Sequence, residues 1–189
     1  MPQLKRGDVL SRHELVTIHG RAVPVPDPNQ LVHLQFRRYA GCPVCNLHLR
    51  SIALRHDEVL AAGIAEVAVF HSSAETMLQY QGQLPFAVIA DPEKILYAEF
   101  GVQQMSPTAV LNPRSWLAAG RALTRAPSLH GATGKGEEHM GLPADFLISP
   151  DGRILAVRYG TYVADQWSVD ELLDLARPAV QLAQPAAGS

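Results

Sequence analysis

The strongest constraint on this chain lies between residues 31 and 63, where one hydrophobic period gives way to another within a few positions. Leu31 to Phe36 alternate, with Val32, Leu34 and Phe36 on one face and His33 and Gln35 on the other, which is the period of a half-buried strand. Further on, Leu49, Ile52, Ala53, Val59 and Leu60 recur at helical spacing, and Gly63 supplies a C-terminal stop. Between the two stands Gly41-Cys42-Pro43-Val44-Cys45, so a pair of thiols sits where a strand hands over to a helix.

The pattern then repeats the alternation. Ile64 to Phe70 reads as a buried strand, Ala74 to Tyr80 as a helix and Phe86 to Ala90 as another strand. Asp91-Pro92 is expected to open a helix through Phe100, because Asp caps well and Pro is tolerated in a first turn, with Gly101 closing it. Strands alternating with helices imply an α/β sheet with right-handed crossovers. From Gln103 to about Met140 turn residues loosen the pattern, and this segment reads as an insertion or lid. Ala144 to Ile148, the Pro150-Asp151-Gly152 turn and Arg153 to Tyr159 form an expected antiparallel hairpin. Ser168 and Glu171 form a capping box for a last helix, Val169 to Ala176, and residues 178–189 read as a frayed tail.

The chain has 189 residues, a length that fits one well-filled domain with an insertion. Its charge of -2 gives no excess of basic residues to neutralise phosphates, which argues against nucleic acid as a partner. No run approaches the ~18 apolar residues of a membrane span and no signal-peptide pattern opens the sequence, so the expected setting is cytoplasmic. Gly131 to Gly136 lacks the spacing of a phosphate-binding loop and reads as an ordinary loop.

The sequence holds two cysteines, Cys42 and Cys45, and a bridge across so short a loop would be a poor structural staple. In a reducing compartment such a pair is more often catalytic or metal-binding. A free thiol has a pKa of about 8.5, and a helix N-terminus lowers it through unpaired N–H groups and partial positive charge. Arg37 and Arg38 lie just upstream and add to that effect if they turn inward. Cys42 is thus expected to be the acidic, exposed nucleophile and Cys45, one turn on, the resolving thiol. Pro43 stiffens the first turn without breaking the helix. A zinc site with His33 or His48 is the competing reading, but structural zinc normally takes four ligands and no second clustered pair is present. His130 and His139 receive no role.

Gly41 to Cys45, Ala90-Asp91-Pro92-Glu93-Lys94 with Phe100-Gly101-Val102, and Gly141-Leu142-Pro143-Ala144-Asp145-Phe146-Leu147-Ile148 before Asp151-Gly152 together resemble a known pattern. The chain looks like the peroxiredoxin-like branch of the alkyl hydroperoxide reductase and thiol-specific antioxidant (AhpC/TSA) family, within the thioredoxin-like superfamily. The resemblance spans roughly residues 30–175, apart from the insertion.

It implies a central mixed sheet flanked by helices, with the insertion before the last hairpin. It also implies an active thiol at the first helix N-terminus, hydroperoxide or protein-disulfide substrates, a thioredoxin-like or glutathione-type reductant, and no metal or organic cofactor. Related folds often dimerise, and by that analogy a homodimer is expected.

The pattern departs from the family in two places. Peroxiredoxins carry PxxxTxxC, where this chain has Gln35 and Tyr39. Their pocket arginine lines up with Pro143, where thioredoxins place a cis-proline, so Leu142 and Pro143 are substrate-positioning candidates and the site looks more like thioredoxin. Losing a preorganised donor typically costs about 3 to 4 kcal/mol of barrier. Arg114, Arg121 or Arg125 of the insertion is the candidate replacement. The expected function is a thiol-dependent oxidoreductase cycling Cys42 and Cys45; the alternative is a non-catalytic binding module on the same fold.

Overall fold

The computed structural model describes residues 2–102, 112–125 and 141–183. His130, His139 and the Gly131 to Gly136 run lie outside the described residues.

A five-stranded mixed sheet organises the chain in the order β5-β4-β3-β6-β7. At its centre β3 (Leu31–Phe36) pairs in parallel with β4 (Ile64–Phe70), which pairs in parallel with β5 (Ala87–Ala90). On the other side β3 pairs antiparallel with β6 (Ala144–Ile148), and β6 with β7 (Ile154–Tyr159). This is the α/β mixed sheet expected from the sequence.

One face of the sheet carries α1 (Pro43–Leu54), α2 (His56–Ala61), α3 (Ala74–Gln81), α5 (Pro113–Arg125) and α6 (Val169–Ala183). Their buried side chains include Val44, Leu49, Ile52, Val59, Met77, Ala122 and Leu172. The opposite face packs Val32, Leu34, Phe36 and Phe146 against α4 (Ile95–Glu99) and a two-stranded hairpin, β1 (His13–Val16) and β2 (Ala22–Val25). That hairpin is absent from the sequence-based reading, and a cis peptide bond follows it at Val25–Pro26.

The structure departs from the sequence pattern at five points. β3 is buried along its whole length, His33 and Gln35 included, because sheet partners flank it on both sides and helices cover the face those side chains occupy. The helical run after the cysteines is broken at Arg55 into α1 and α2. Asp91-Pro92-Glu93-Lys94 forms a turn, and α4 starts only at Ile95; Asp91 still caps it, accepting from Ile95 N–H at 3.0 Å and Leu96 N–H at 2.9 Å. Within the loosely patterned segment α5 is a 13-residue helix that opens on Asn112-Pro113, with Asn112 accepting from Arg114 N–H. Finally, α6 runs past Ala176 and through Pro178 to Ala183, so part of the expected tail is helical.

The β6–β7 hairpin and the Ser168–Glu171 capping box form as the sequence predicts, with Glu171 accepting from Ser168 N–H and Ser168 from Glu171 N–H. The N-terminal segment runs along both outer strands of the sheet. Val9 bridges Arg153 beside β7 and Thr17 bridges Ile89 on β5. Gly152 suits two demands at once: its φ is +84°, and a Cβ there would meet the Leu10 carbonyl oxygen at 2.9 Å.

Candidate active site

The end of β3 is clamped before it reaches the cysteines. Arg37 N–H donates to the Val69 carbonyl at 2.8 Å, Ala40 N–H to Ser72 Oγ at 2.8 Å, and Gln81 Nε2 to the Ala40 carbonyl at 2.8 Å. Tyr97, reaching across from α4, donates its hydroxyl to the Arg37 carbonyl. These contacts from β4, α3 and α4 fix the loop that delivers Cys42.

Cys42 is the N-cap of α1, and its Sγ accepts from Cys45 N–H at 3.3 Å, so the sulfur sits where unpaired backbone donors favour negative charge. Pro43 fills the first helical turn, as its fixed φ allows. Arg38 Nη2 donates to Cys42 Sγ at 2.9 Å. Gly141 makes room for that arginine, since a Cβ at 141 would come within 3.3 Å of Arg38 Cγ.

Both cysteines are free thiols, and both are buried. Burial alone raises both pKa values. For Cys45 the hydrogen bond with Cys42 and the Arg38 charge outweigh it and bring the pKa down to about 6. For Cys42 burial, followed by the hydrogen bond and charge of Cys45, pushes it well above the usual thiol range while Arg38 opposes. The pair therefore holds one thiolate at neutral pH with the second proton retained, facing a guanidinium. The expectation of an exposed Cys42 is corrected, since its sulfur is covered; the acidic proton belongs to the hydrogen-bonded pair of sulfurs as a unit.

The two arginines that follow β3 go separate ways. Arg38 reaches the thiols. Arg37 has no exposed surface; it donates through Nη2 to Asp145 Oδ1 at 2.6 Å and to His48 Nε2 at 3.1 Å, and acts on Cys45 only through space. His48, on α1 one turn past Cys45, is kept neutral by burial and by Arg37.

Leu142 packs against the apolar cluster that contains both cysteines. Pro143 is buried, its carbonyl accepts from Gly160 N–H at 2.8 Å, and the bond preceding it is trans, the isomer that the sequence leaves open. Arg114, Arg121 and Arg125 are exposed on α5. Among the described residues the arginine at the thiols is Arg38. No cluster of three or more His, Cys, Asp or Glu able to hold a metal occurs among the described residues, and no helix there is long and apolar enough to cross a membrane.

Sequence reasoning passed over Glu66 and Asp145. Each is a carboxylate inside an otherwise apolar strand run, which was the available signal that a buried partner waits for it.

Comparison with known proteins adds a family and a fold. The model of the AhpC/TSA antioxidant enzyme family matches residues 51–161, more than half of the chain, beginning beyond Cys45. No curated protein matches. Solved structures do. The peroxidoxin BcpB of Mycobacterium tuberculosis is 16% identical at a TM-score of 0.65, covering 97% of this chain and 100% of its own. The reduced 2-Cys peroxiredoxin of Plasmodium vivax is 14% identical at a TM-score of 0.67, covering 98% and 90%. A protein assigned as the thiol:disulfide interchange protein DsbE of Chlorobium tepidum is 21% identical at 0.59, covering 94% and 99%. At these identities the likeness is one of fold.

Proposed function

The chain belongs to the AhpC/TSA antioxidant enzyme family, and on that premise we propose that it is a thiol-dependent oxidoreductase that cycles Cys42 and Cys45 between dithiol and disulfide. The observation that carries this reading is the sulfur of Cys42, which accepts from a helix-start N–H and from Arg38 beside a second thiol one turn away.

The cycle balances on these groups alone. The proton held between the two sulfurs moves onto Cys45, Cys42 thiolate attacks the terminal oxygen of a hydroperoxide, the O–O bond breaks, and the alkoxide leaves as an alcohol after taking a proton, leaving Cys42 as a sulfenic acid. Cys45 thiolate then attacks the Cys42 sulfur and expels hydroxide, which leaves as water once protonated. Two electrons and two protons pass from the dithiol to the substrate, and a thioredoxin-like or glutathione-type thiol restores it. Arg38 serves both halves. It faces the attacking charge first and, once Cys42 is occupied, faces Cys45, whose thiolate its charge also favours.

Hydroperoxide is favoured as substrate because Arg38 supplies the cation that the family pattern places elsewhere, and a preorganised donor at the breaking bond is worth about 3 to 4 kcal/mol. The second reading, exchange with a protein disulfide, is favoured by the CPVC spacing and by Tyr39 and Gln35 at the peroxiredoxin motif positions. A cytoplasmic setting and a homodimer belong to the same proposal, with no cofactor beyond the cysteine pair.

Stopped-flow oxidation of the reduced protein by hydrogen peroxide and by a bulky hydroperoxide, with the Cys42–Cys45 bridge followed by mass, separates the readings. Oxidation far faster than that of a free thiol supports the peroxidase; slow oxidation with rapid exchange against protein disulfides supports the second. Cys42→Ser is expected to abolish both, and a Cys42→Ser protein with full activity overturns the mechanism. A pair that reacts with neither substrate leaves the fold as a binding module.

A further inference from the structure

Beneath the thiols lies a set of buried charges that the cycle above does not use. His33 and Gln35 project from alternate positions of β3 and Arg37 follows directly after it, with Glu66 in register with His33 on β4 and Asp145 in register with Gln35 on β6. Neighbours in register share a face, so the arrangement draws them together. His33 Nδ1 lies 2.8 Å from Glu66 Oε2 and its Nε2 3.1 Å from Asp145 Oδ1, and Arg37 reaches the same Asp145 oxygen. Gln35 Nε2 donates to Glu66 Oε2 at 2.7 Å, and Trp167 N–H points at Asp145 Oδ2 at 3.4 Å. The side chains of His33, Arg37, Glu66 and Asp145 are wholly buried.

Burial works against a charged His33, but Glu66 and Asp145 more than reverse it and raise its pKa to about 9. The quartet is then neutral, with His33 and Arg37 positive and Glu66 and Asp145 negative. Burying four ions costs several kcal/mol each before they attract one another, and apolar residues of similar size often stabilise a fold as well or better. Stability alone is a weak reason for such a cluster. Its position supplies a stronger one. Arg37 shares a peptide bond with Arg38, its carbonyl is pinned by Tyr97, and its charge acts on Cys45. Among the described residues, Arg37 and Arg38 at the end of β3 act on Cys45 and Tyr97 of α4 feels it; around these, His48 on α1 faces Arg37, Asp91 faces Tyr97, and His71 after β4 lies beside Gly141.

We propose that His33, Arg37, Glu66 and Asp145 are positioning residues that set the charge felt by the Cys42–Cys45 thiolate, Arg37 facing it and the other three fixing how far its charge is compensated. The proposal rests on the reading of Cys42 and Cys45 as the redox pair. It makes a signed demand. Asp145→Asn leaves Arg37 uncompensated and adds one positive charge to the cluster, which stabilises the thiolate. Arg37→Gln does the reverse. Glu66→Gln removes a negative charge and with it the larger support for His33 protonation, so the net charge hardly changes, whereas Asp145→Asn leaves that support in place. Damage without an electrostatic role would move the pair the same way in all three.

The test is the pH titration of thiolate absorbance in each folded variant, with the reduction potential against glutathione as a second readout. The expected shifts are about one pH unit downward for Asp145→Asn, about one upward for Arg37→Gln, and little for Glu66→Gln. A tenfold change in the redox equilibrium corresponds to about 30 mV for a two-electron couple. Shifts of one sign, or none, overturn the proposal. A variant that does not fold leaves a measurement on the unaltered quartet: the NMR titration of the His33 ring in the reduced protein against Cys42→Ser/Cys45→Ser. Coupling is reciprocal, so the thiolate must raise the His33 pKa, and equal values overturn the proposal. Both titrations are independent of disulfide formation, so a pair that refuses to oxidise overturns the proposed cycle while the charge coupling is still decided.

Discussion

The two faces of the central sheet are built from the same strands and differ in almost everything else. Alternate residues of β3 and β6 send Val32, Leu34, Phe36, Ala144 and Phe146 to one side and His33, Gln35 and Asp145 to the other, where Arg37, just past β3, joins them. The first side is a cluster of rings: Phe146 lies 5.8 Å from Phe36, 5.2 Å from Phe100 and 5.5 Å from Tyr159, each pair edge-on. The second side stacks an ion network beneath a pair of thiols. Non-directional burial holds the first, whereas the second depends on each charge finding its partner. Stability and reactivity are thereby divided across one layer of backbone.

The largest break in this comparison is Phe146→Ala, expected to cost about 3 to 5 kcal/mol of stability because it opens a cavity among the rings. Denaturant unfolding measures it, and the thiol titration of the folded fraction should not move; if it does, the faces are not separate. Next comes pH, which should touch only the ionic side. A His33 pKa raised from 6.5 to about 9 stabilises the fold fully below pH 6.5, and the contribution fades as pH climbs through 9. The loss is about 3 kcal/mol, read from unfolding curves between pH 6 and 10, and His33→Gln should flatten the dependence. Asp145 has the opposite sign: its pKa is held below the usual range despite burial, chiefly by Arg37 and His33, so its contribution is present above the unfolded carboxylate pKa and fades in acid.

A smaller effect belongs to Tyr159→Phe, which removes one hydroxyl that accepts from Leu4 N–H at 2.8 Å and donates to the Phe100 carbonyl at 2.6 Å. About 1 kcal/mol of stability should go, again by denaturation, with the thiols unchanged. The smallest is Gly141→Ala. Its new methyl must press Arg38 by a few tenths of an ångström, so the first thiol pKa should rise slightly in the absorbance titration with little change in stability.

The fold was largely readable because its strands are strongly periodic. β4 matches the sequence pattern residue for residue, as does β6, and the strand-to-helix handover at Cys42 falls where the period changes. Boundaries slipped where local chemistry competes: Asp91 caps a helix from four residues away, so the cap signal was real but its place was not. The cysteines and Arg38 were visible as neighbours in sequence. The acids were not, because Glu66 and Asp145 meet His33 and Arg37 only after β4 and β6 flank β3, across separations that no local pattern records. A strand that alternates polar and apolar residues also looks half-exposed until the polar face is known to be covered. For His33 and Gln35 the cover comes from helices that follow later in the chain.

The N-terminal segment that lies along both outer strands has a consequence for solubility. Gly7 and Leu10 donate to the carbonyls of Ile154 and Gly152, Ile154 donates to Asp8, and Ile18 donates to Val88. Backbone groups on β7 and β5 that a second molecule could have paired with are already engaged. Open edges of that kind recruit strands from other chains, and among the devices that prevent it a covering segment is one of the least specific in sequence. A chain lacking residues 2–18 keeps both cysteines but loses β1 and bares the backbone edges of β5 and β7, so it should self-associate in proportion to concentration.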